Sequence, residues 1–478
     1  MMYRRNWAMV VLVVANFMDL MDTTVVNVAL PSIQQDLDAS PAALEWTVSA
    51  YTLGFAALLI TGGRLGDIIG TRSVFLIGVA GFTIASTVAA AAGSGEVLVI
   101  SRALQGSFAG LMVPQVLAGV QALYPPEERA PVYGLVGFIT GTASVVGPIL
   151  SGAIVTTGAF GLGWRAIFLI NLPIGIALLI AARRLVPQAR SEHPTRLDLV
   201  GVLLAMAGVL CLVFPLIEGR AKGWPWWSWL MLALAPLILV GFVGWQRRAE
   251  RVGRTPLIPL RLFTDRGYRA GSLVNFCFQA GLVSFFLFFT LYLQQGLAYS
   301  AIRAGLVWLG LSLGALAGSA AAAALTARFG RRLMAVGALL FALSMILVAR
   351  FAVSPHIAVP AWWQFAGVLV VGGVGMGLVI VPVFDAALEN VVVADAGSAS
   401  GALNTIQQVG GSFGVAAIGA VFYGSTSARP GVDGITHAVH LSVLGSALAL
   451  LLCAAASLLF RPRAAADAVS RRADAPVR

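Results

Sequence analysis

Apolar runs of about 20 residues recur along the whole chain, each long enough to cross a hydrocarbon core about 30 Å thick. Of the 478 residues 59% are hydrophobic and only 11% charged, and the mean hydropathy is +0.89. A soluble domain carries about 25% charged residues. A membrane β-barrel would show short segments of alternating polarity instead of continuous runs. The expected fold class is therefore all-α integral membrane. The first run is too long for a cleaved signal peptide, and no small-residue cleavage site follows it. Cys211, Cys277 and Cys453 all fall inside apolar runs, as packing residues do, and suggest neither a disulfide framework nor a metal site. The four histidines are assigned to loops.

Hydropathy predicts about 14 spans. Among them are Trp7–Leu30, Val132–Thr156, Leu197–Ile217, Trp229–Gln246, Tyr268–Tyr292 and Leu441–Phe460. The net charge of +11 is explained by topology rather than by nucleic acid. With both termini in the cytoplasm, that side receives Arg4, Arg5, Arg64, Arg72, Arg129, the Arg183–Arg196 loop and seven arginines from Arg247 to Arg269. The outside receives Arg165, Arg220, Lys222, Arg303, Arg350 and Arg429, with Trp46, Trp164, Trp224–Trp229 and Trp362/Trp363 as an interfacial belt. The Arg247–Arg269 loop is first a topogenic signal and second a contact for anionic membrane lipid.

A weak internal repeat aligns "GGRLGDIIGTRS" after the second span with "LTARFGRRL" after the tenth, Gly70 matching Gly330 and Arg72 matching Arg332. It divides the chain into two pseudo-symmetric six-helix bundles, residues 1–190 and 251–463, with an inserted helix pair at 191–250 and a cytoplasmic tail at 464–478. Internal repeats with a site between the halves are a transporter signature.

Eighteen of the twenty acidic residues, Glu45 included, are assigned to loops or helix ends. Only Asp19 and Asp22, and among the basic residues only Arg102, lie deep in a span. An Asp at mid-bilayer costs roughly 2.5–3.5 kcal/mol on insertion scales, so such residues default to functional sites. Asp19 and Asp22, three apart, share a helix face, with Asn16, Thr23 and Asn27 on or near it. Asp22 lies roughly 12 Å from Leu30 and Arg102 roughly 10 Å from Gly95, at 1.5 Å per residue. Both distances run from the outer end, so an Asp22–Arg102 pair is expected. Two readings stand: a static ion pair that fixes helix register, or a switch in which desolvation and a movable cation make protonation depend on conformation.

Several local patterns then resemble the major facilitator superfamily, in particular its fourteen-helix drug:proton antiporter branch. "MDTTVVNVALP" resembles that branch's first-helix motif. "GGRLGDIIGTRS" resembles the superfamily's loop signature, carried by Gly63, Leu65, Gly66, Asp67, Gly70 and Arg72. "ISRALQGSFAGLMVPQV" resembles the fourth-helix motif, with Arg102, Gln105, Gly106 and Gly110. "GTASVVGPILSGAIV" resembles the fifth-helix antiporter motif, with Gly141, Gly147, Pro148 and Gly152, and "GWRAIFLINLPIG" resembles the opening of the sixth helix. The resemblance implies a cytoplasmic latch at Asp67 and a bend at Pro148 associated with export. The residues themselves allow plainer roles: a tight turn at the loop glycines, an Asp67–Arg72 pair, and close helix packing along the fifth span. The second copy of the loop has Ala327 where the first has Asp67, so a latch would be one-sided.

In the second half, Asn275 and Gln279 on the ninth span and Asn404, Gln407 and Gln408 on the thirteenth either line a substrate cavity with Asn16, Asn27 and Gln105 or serve as interhelical hydrogen bonds. The phenylalanines from Phe276 to Phe289 are read as lipid-facing, with some walling an apolar pocket. No nucleophile–base set, metal cluster, phosphate loop or ATP motif appears, so neither an enzyme nor a cofactor is expected. The reading is a monomeric, proton-coupled exporter in the cell membrane, carrying a small-molecule substrate of lipophilic cation type. The alternative is a proton-linked or facilitative transporter of a polar metabolite.

Overall fold

The structure, a computed structural model, describes residues 2–125, 128, 132, 143, 146–157, 161–188, 197–219, 222–254, 256–329, 332–352, 360–389, 391, 396–428 and 432–460. The side chain of Asp67 is outside this description, as are Gly141, Gly330 and the tail at 464–478. The described helices are α1 (Met2–Leu37), α2 (Pro41–Ile69), α3 (Thr71–Ala90), α4 (Gly95–Leu123), α5 (Val146–Thr157), α6 (Ala166–Leu169), α7 (Asn171–Leu185) and α8 (Leu199–Phe214). They continue with α9 (Trp226–Arg251), α10 (Arg266–Leu291), α11 (Ala301–Phe329), α12 (Arg332–Ala352), α13 (Trp362–Leu388), α14 (Ala396–Ala428) and α15 (Val432–Ser457). Among the described residues 13 helical segments are long and apolar enough to span a membrane, α6 and α7 together making one of them. The shorter α5 occupies the end of the expected Val132–Thr156 run.

The turns follow local chemistry. Ser40 Oγ accepts a hydrogen bond from the Ala43 amide, and Pro41 opens α2. Ser94 Oγ accepts from Val97 in the same way at α4. Gly70 takes φ 100° where α2 stops and α3 starts, a conformation open to glycine and strained for other residues. Gln188 Nε2 then donates to the Ile69 carbonyl at 2.9 Å and to Ser73 Oγ at 3.0 Å, fixing that turn.

Without water to drive helices together, close packing and hydrogen bonds must do so. Helices α2 and α4 meet backbone to backbone: a methyl added at Gly54 would lie 2.4 Å from the Ala103 carbonyl oxygen, and one at Gly110 would lie 2.6 Å from that of Phe55. On α11 and α13, Gly310 meets the Ala366 carbonyl in the same manner, and Gly373 and Gly377 lie against the backbone at Gly314 and Gly318. One apolar cluster joins α1–α4 with α7, and a larger one centres on α10–α15 and takes in the ends of α1–α4 next to the α1–α2 turn. Helices α8 and α9 pack on each other and, through α8, on α2 and α14; they are the least buried spans.

Several sequence-based assignments change. Phe278, Phe285, Phe288 and Phe289 are buried, not lipid-facing, because α10 is enclosed by protein. Their rings pack with Trp308, Phe341, Phe365 and Phe422. His437 and His440 lie in α15 rather than in a loop, since that helix starts earlier than its apolar run. Trp164 is buried, its Nε1 donating to Asp36 at 3.0 Å. Arg64 lies within α2, buried, and donates to the Pro256 carbonyl in the loop that precedes α10. Glu45 lies in the first turns of α2 with no exposed surface, its carboxyl against Gly419 of α14. Both helix ends run past the hydrophobic segment and find protein, not water, around them.

Candidate functional site

The polar stripe of α1 faces α2, α4 and α7. Asn16, Asp19 and Asp22 are all buried. Arg102 of α4 reaches Asp22, its Nη1 lying 2.5 Å from Oδ2, with each residue only 2% exposed. The same Nη1 donates to Gln105 Oε1 at 2.7 Å, and Arg102 Nε donates to the Thr47 carbonyl at 3.2 Å. The other Asp22 oxygen, Oδ1, accepts from Gln105 Nε2 at 2.8 Å and from Asn171 Nδ2 at 2.9 Å. Ser86 Oγ accepts from both of these amides, at 3.3 and 2.9 Å, and donates to the Phe168 carbonyl at 3.0 Å. Asp22 is thus caged by α4, by α7 and, through Ser86, by α3.

Tyr51 of α2 completes the cluster. Its ring lies under the Arg102 guanidinium, 4.2 Å from the ring centroid, and Phe168 lies 5.8 Å away. Cation–π contacts of this kind are worth about 2 kcal/mol when desolvated. The Tyr51 hydroxyl donates to Asp19 Oδ1. A methyl at Gly106 would lie 2.0 Å from the Tyr51 carbonyl oxygen, so the absent side chain is what lets α2 bring Tyr51 beneath Arg102. One residue further along α2, the Thr52 hydroxyl bonds to Ser412 of α14.

The other sequence candidates scatter. Asn27 Nδ2 donates to the Thr23 carbonyl of its own helix at 3.0 Å, and Asn404 Nδ2 does the same with Ser400 at 2.9 Å. Asn275 Nδ2 donates across to the Leu403 carbonyl of α14 at 3.0 Å. Gln279 is buried, and Gln407 and Gln408 are half-buried. Arg72 is half-buried, and Gly63 faces Pro114 of α4. Gly147 of α5 faces Thr24 of α1, and Ser151 Oγ donates to the Val25 carbonyl at 2.7 Å. A methyl at Gly152 would lie 2.7 Å from the Ala301 carbonyl oxygen of α11, and the Pro148 carbonyl lies against Gly305. The described residues of α5 therefore lie between α1 and α11.

Nearby, where α1, α5 and the segment linking α10 to α11 converge, a cavity of about 250 Å³ is lined by Ser32, Gln35, Thr156 and Tyr299, among others. Gln294 Nε2 donates to the Val28 carbonyl at 2.8 Å and Gln295 Nε2 to Gln34 at 2.7 Å, closing this end.

Tyr51, Ser86 and Asn171 were not picked out by sequence reasoning. Asn171 sits inside the quoted "FLINLPIG" stretch, and a polar residue within an apolar run was the available signal. Tyr51 and Ser86 gave less, because neutral hydroxyls are common in helix interfaces.

Residues 12–415 match the family model described as Major Facilitator Superfamily. The chain is 39% identical over 424 residues to a probable actinorhodin transporter of Streptomyces coelicolor, covering 88% of this chain and 73% of that one. It is 35% identical over 466 residues to a puromycin resistance protein of Streptomyces alboniger, covering 94% and 90%. A tetracenomycin C resistance and export protein of Streptomyces glaucescens is 32% identical over 418 residues, with 87% and 76% covered. Among solved structures, an inward-facing bacterial homolog of the human lysosomal transporter Spinster aligns with a TM-score of 0.66 at 15% identity, covering 96% of this chain and 98% of that one. A D-xylose-proton symporter aligns at 0.65 with 16% identity, covering 95% and 98%. At such identities these two likenesses speak to the fold alone. By sequence and by fold, the chain belongs to the major facilitator superfamily, a multi-pass helical membrane protein of the transporter class.

Proposed function

We propose that the protein is a proton-coupled antiporter of the fourteen-helix drug:proton branch, exporting amphipathic, cationic drugs or secondary metabolites by alternating access. The observation that carries this reading is the buried acidic cluster of Asp19 and Asp22 with Arg102 in the middle of α1 and α4. Two carboxylates against one guanidinium leave room for one more positive charge, supplied either by a proton or by a cationic cargo. The names of the relatives, resistance and export proteins for antibiotics, support export as the direction.

In this reading residues 1–190 and 251–463 form the two rocking bundles, 191–250 the inserted pair and 464–478 a cytoplasmic tail, with both termini inside and a monomer as the working unit. Asp67 with Arg72, Gly63 and Gly70 form the cytoplasmic latch. Gly141, Gly147, Pro148 and Gly152 let α5 pivot against α11. Asn16, Asn27, Gln105, Asn275, Gln279, Asn404, Gln407 and Gln408 offer polar contacts along the route.

The test is reconstitution into liposomes with an acidic interior. Ethidium should accumulate inside and leak back when an ionophore collapses the gradient. Accumulation that ignores the gradient would refute proton coupling, and an absence of any ethidium transport would refute the cationic cargo.

A further inference from the structure

The two carboxylates of α1 sit three residues apart but in different chemical surroundings. Asp22 accepts three hydrogen bonds, from the Arg102 guanidinium and from the amide groups of Gln105 and Asn171. Guanidinium and amide N–H groups donate and cannot accept. Those three bonds leave one carboxylate lone pair for a proton, but a proton there would neutralise the counter-ion of Arg102 and weaken the three donated bonds. The guanidinium would then hold an uncompensated charge in a site with almost no exposed surface.

Asp19 is also buried, yet among the described residues its one hydrogen bond comes from the Tyr51 hydroxyl. A phenolic hydroxyl both donates and accepts. When Asp19 takes a proton, the Tyr51 hydroxyl either keeps donating to the carboxyl or turns to accept from its new O–H. Either way the contact persists, and no buried cation loses its direct counter-ion. Among the described residues, the other charged or titratable groups facing Asp19 are Asp22, one turn away on its own helix, and Arg102 of α4, behind the Tyr51 ring.

We propose that Asp19 is the carboxylate that exchanges its proton for cargo, that Tyr51 positions it, and that Asp22 stays ionised as the fixed partner of Arg102. The proposal rests on the exporter reading and divides labour within its coupling cluster. In the exchange the Asp19 O–H bond breaks, the proton leaves to water on the side from which the cargo enters, and one positive charge of the cargo replaces it beside the carboxylate. Tyr51 links that event to the rest of the protein. Its ring supports Arg102, and the next residue, Thr52, bonds to Ser412 of α14. A reorientation of Tyr51 therefore bears on the seam between α2 and α14.

The test is an infrared titration of the purified protein in lipid, following the band of protonated carboxylic acid as pH is lowered. It is run on the wild type, Asp19→Asn and the charge-neutral pair Asp22→Asn/Arg102→Gln, which avoids the unpaired buried charge that would destabilise a single variant. The expected band is present in the wild type and the pair and absent from Asp19→Asn. A band lost in the pair and kept in Asp19→Asn overturns the assignment, as does the absence of any titrating band from a buried acid. Tyr51→Phe keeps the ring under Arg102 and removes the hydroxyl. It should displace the band's midpoint by about tenfold in proton concentration, and an unchanged midpoint removes Tyr51 from the proposal. The band needs no cargo, so its outcome is separate from the exporter reading. If Asp19 titrates while acid-interior liposomes accumulate no ethidium, the cargo assignment fails and the proton site stands.

Discussion

Breaking the Arg102–Asp22 pair from either side should cost far more than replacing it whole. Arg102→Gln leaves Asp22 with Gln105 and Asn171 as its donors and no compensating charge, at a position 2% exposed. Asp22→Asn leaves the guanidinium with the Thr47 carbonyl, Gln105 Oε1 and the Tyr51 ring. Removing one partner of a buried pair typically costs about 3–5 kcal/mol, most of it the penalty of the stranded charge. The double variant strands no charge. Its loss is set by changed hydrogen bonds, roughly 0.5–1.5 kcal/mol each. The two substitutions should therefore couple by on the order of 3 kcal/mol. Unfolding of the four proteins in the same lipid, by reversible denaturant titration, measures that coupling directly. Losses that add to within about 0.5 kcal/mol would mean that the two residues act independently, and the ion-pair account of this cluster would be wrong.

Other perturbations test neighbouring parts. Gly106→Val sets a side chain where the first added atom alone lies 2.0 Å from the Tyr51 carbonyl oxygen; it should cost about 1–3 kcal/mol by overpacking and reduce ethidium transport by pulling Tyr51 off Arg102, both readable on one preparation. Gly152→Leu, against the Ala301 carbonyl at 2.7 Å, should hold α5 away from α11 and raise the labelling rate of a cysteine placed at Val155, which lines the adjoining cavity. Asp198 caps α8 through the Gly201 amide and also accepts from Trp245, Gln246 and the Leu257 amide. Partial burial pushes its carboxyl up, but these four donors outweigh it and hold the group below the usual carboxylate range. A lowered carboxyl contributes stability above its unfolded value, about 3.9, and that contribution fades as pH falls through the lower folded value. Asp198→Ala should cost about 0.5–2 kcal/mol near neutrality and flatten the acid limb of the stability curve; an unchanged acid limb would contradict the assignment.

The spans were legible because hydropathy over 20 residues is a strong signal, and depth counting from Leu30 and Gly95 was enough to bring Asp22 to Arg102. The partners of that pair were less so. Whether Gln105 or Asn171 meets Asp22 depends on how α4 and α7 rotate against α1, which no single run of residues encodes. Tyr51 reads as one aromatic among many until the close approach of α2 at Gly106 puts its ring under the guanidinium. The burial of Glu45 and the helical placement of Arg64 escape the sequence for a different reason. Hydropathy marks where lipid ends, while a helix continues where neighbouring protein surrounds it: Arg64 bonds to the loop before α10, and the Glu45 carboxyl lies against Gly419 of α14. The phenylalanines of α10 looked lipid-facing because a helix apolar on all sides can be buried in protein or in bilayer, and only packing distinguishes the two.

Proton–cargo competition at the α1 cluster is the central claim, and proton release by the purified protein in weakly buffered solution tests it most directly. Adding ethidium to the wild type should release protons in proportion to bound cation, with the release suppressed at high pH where the site is already empty of protons. Ethidium binding that releases no proton at any pH would show that cargo and proton do not compete, and would contradict the account.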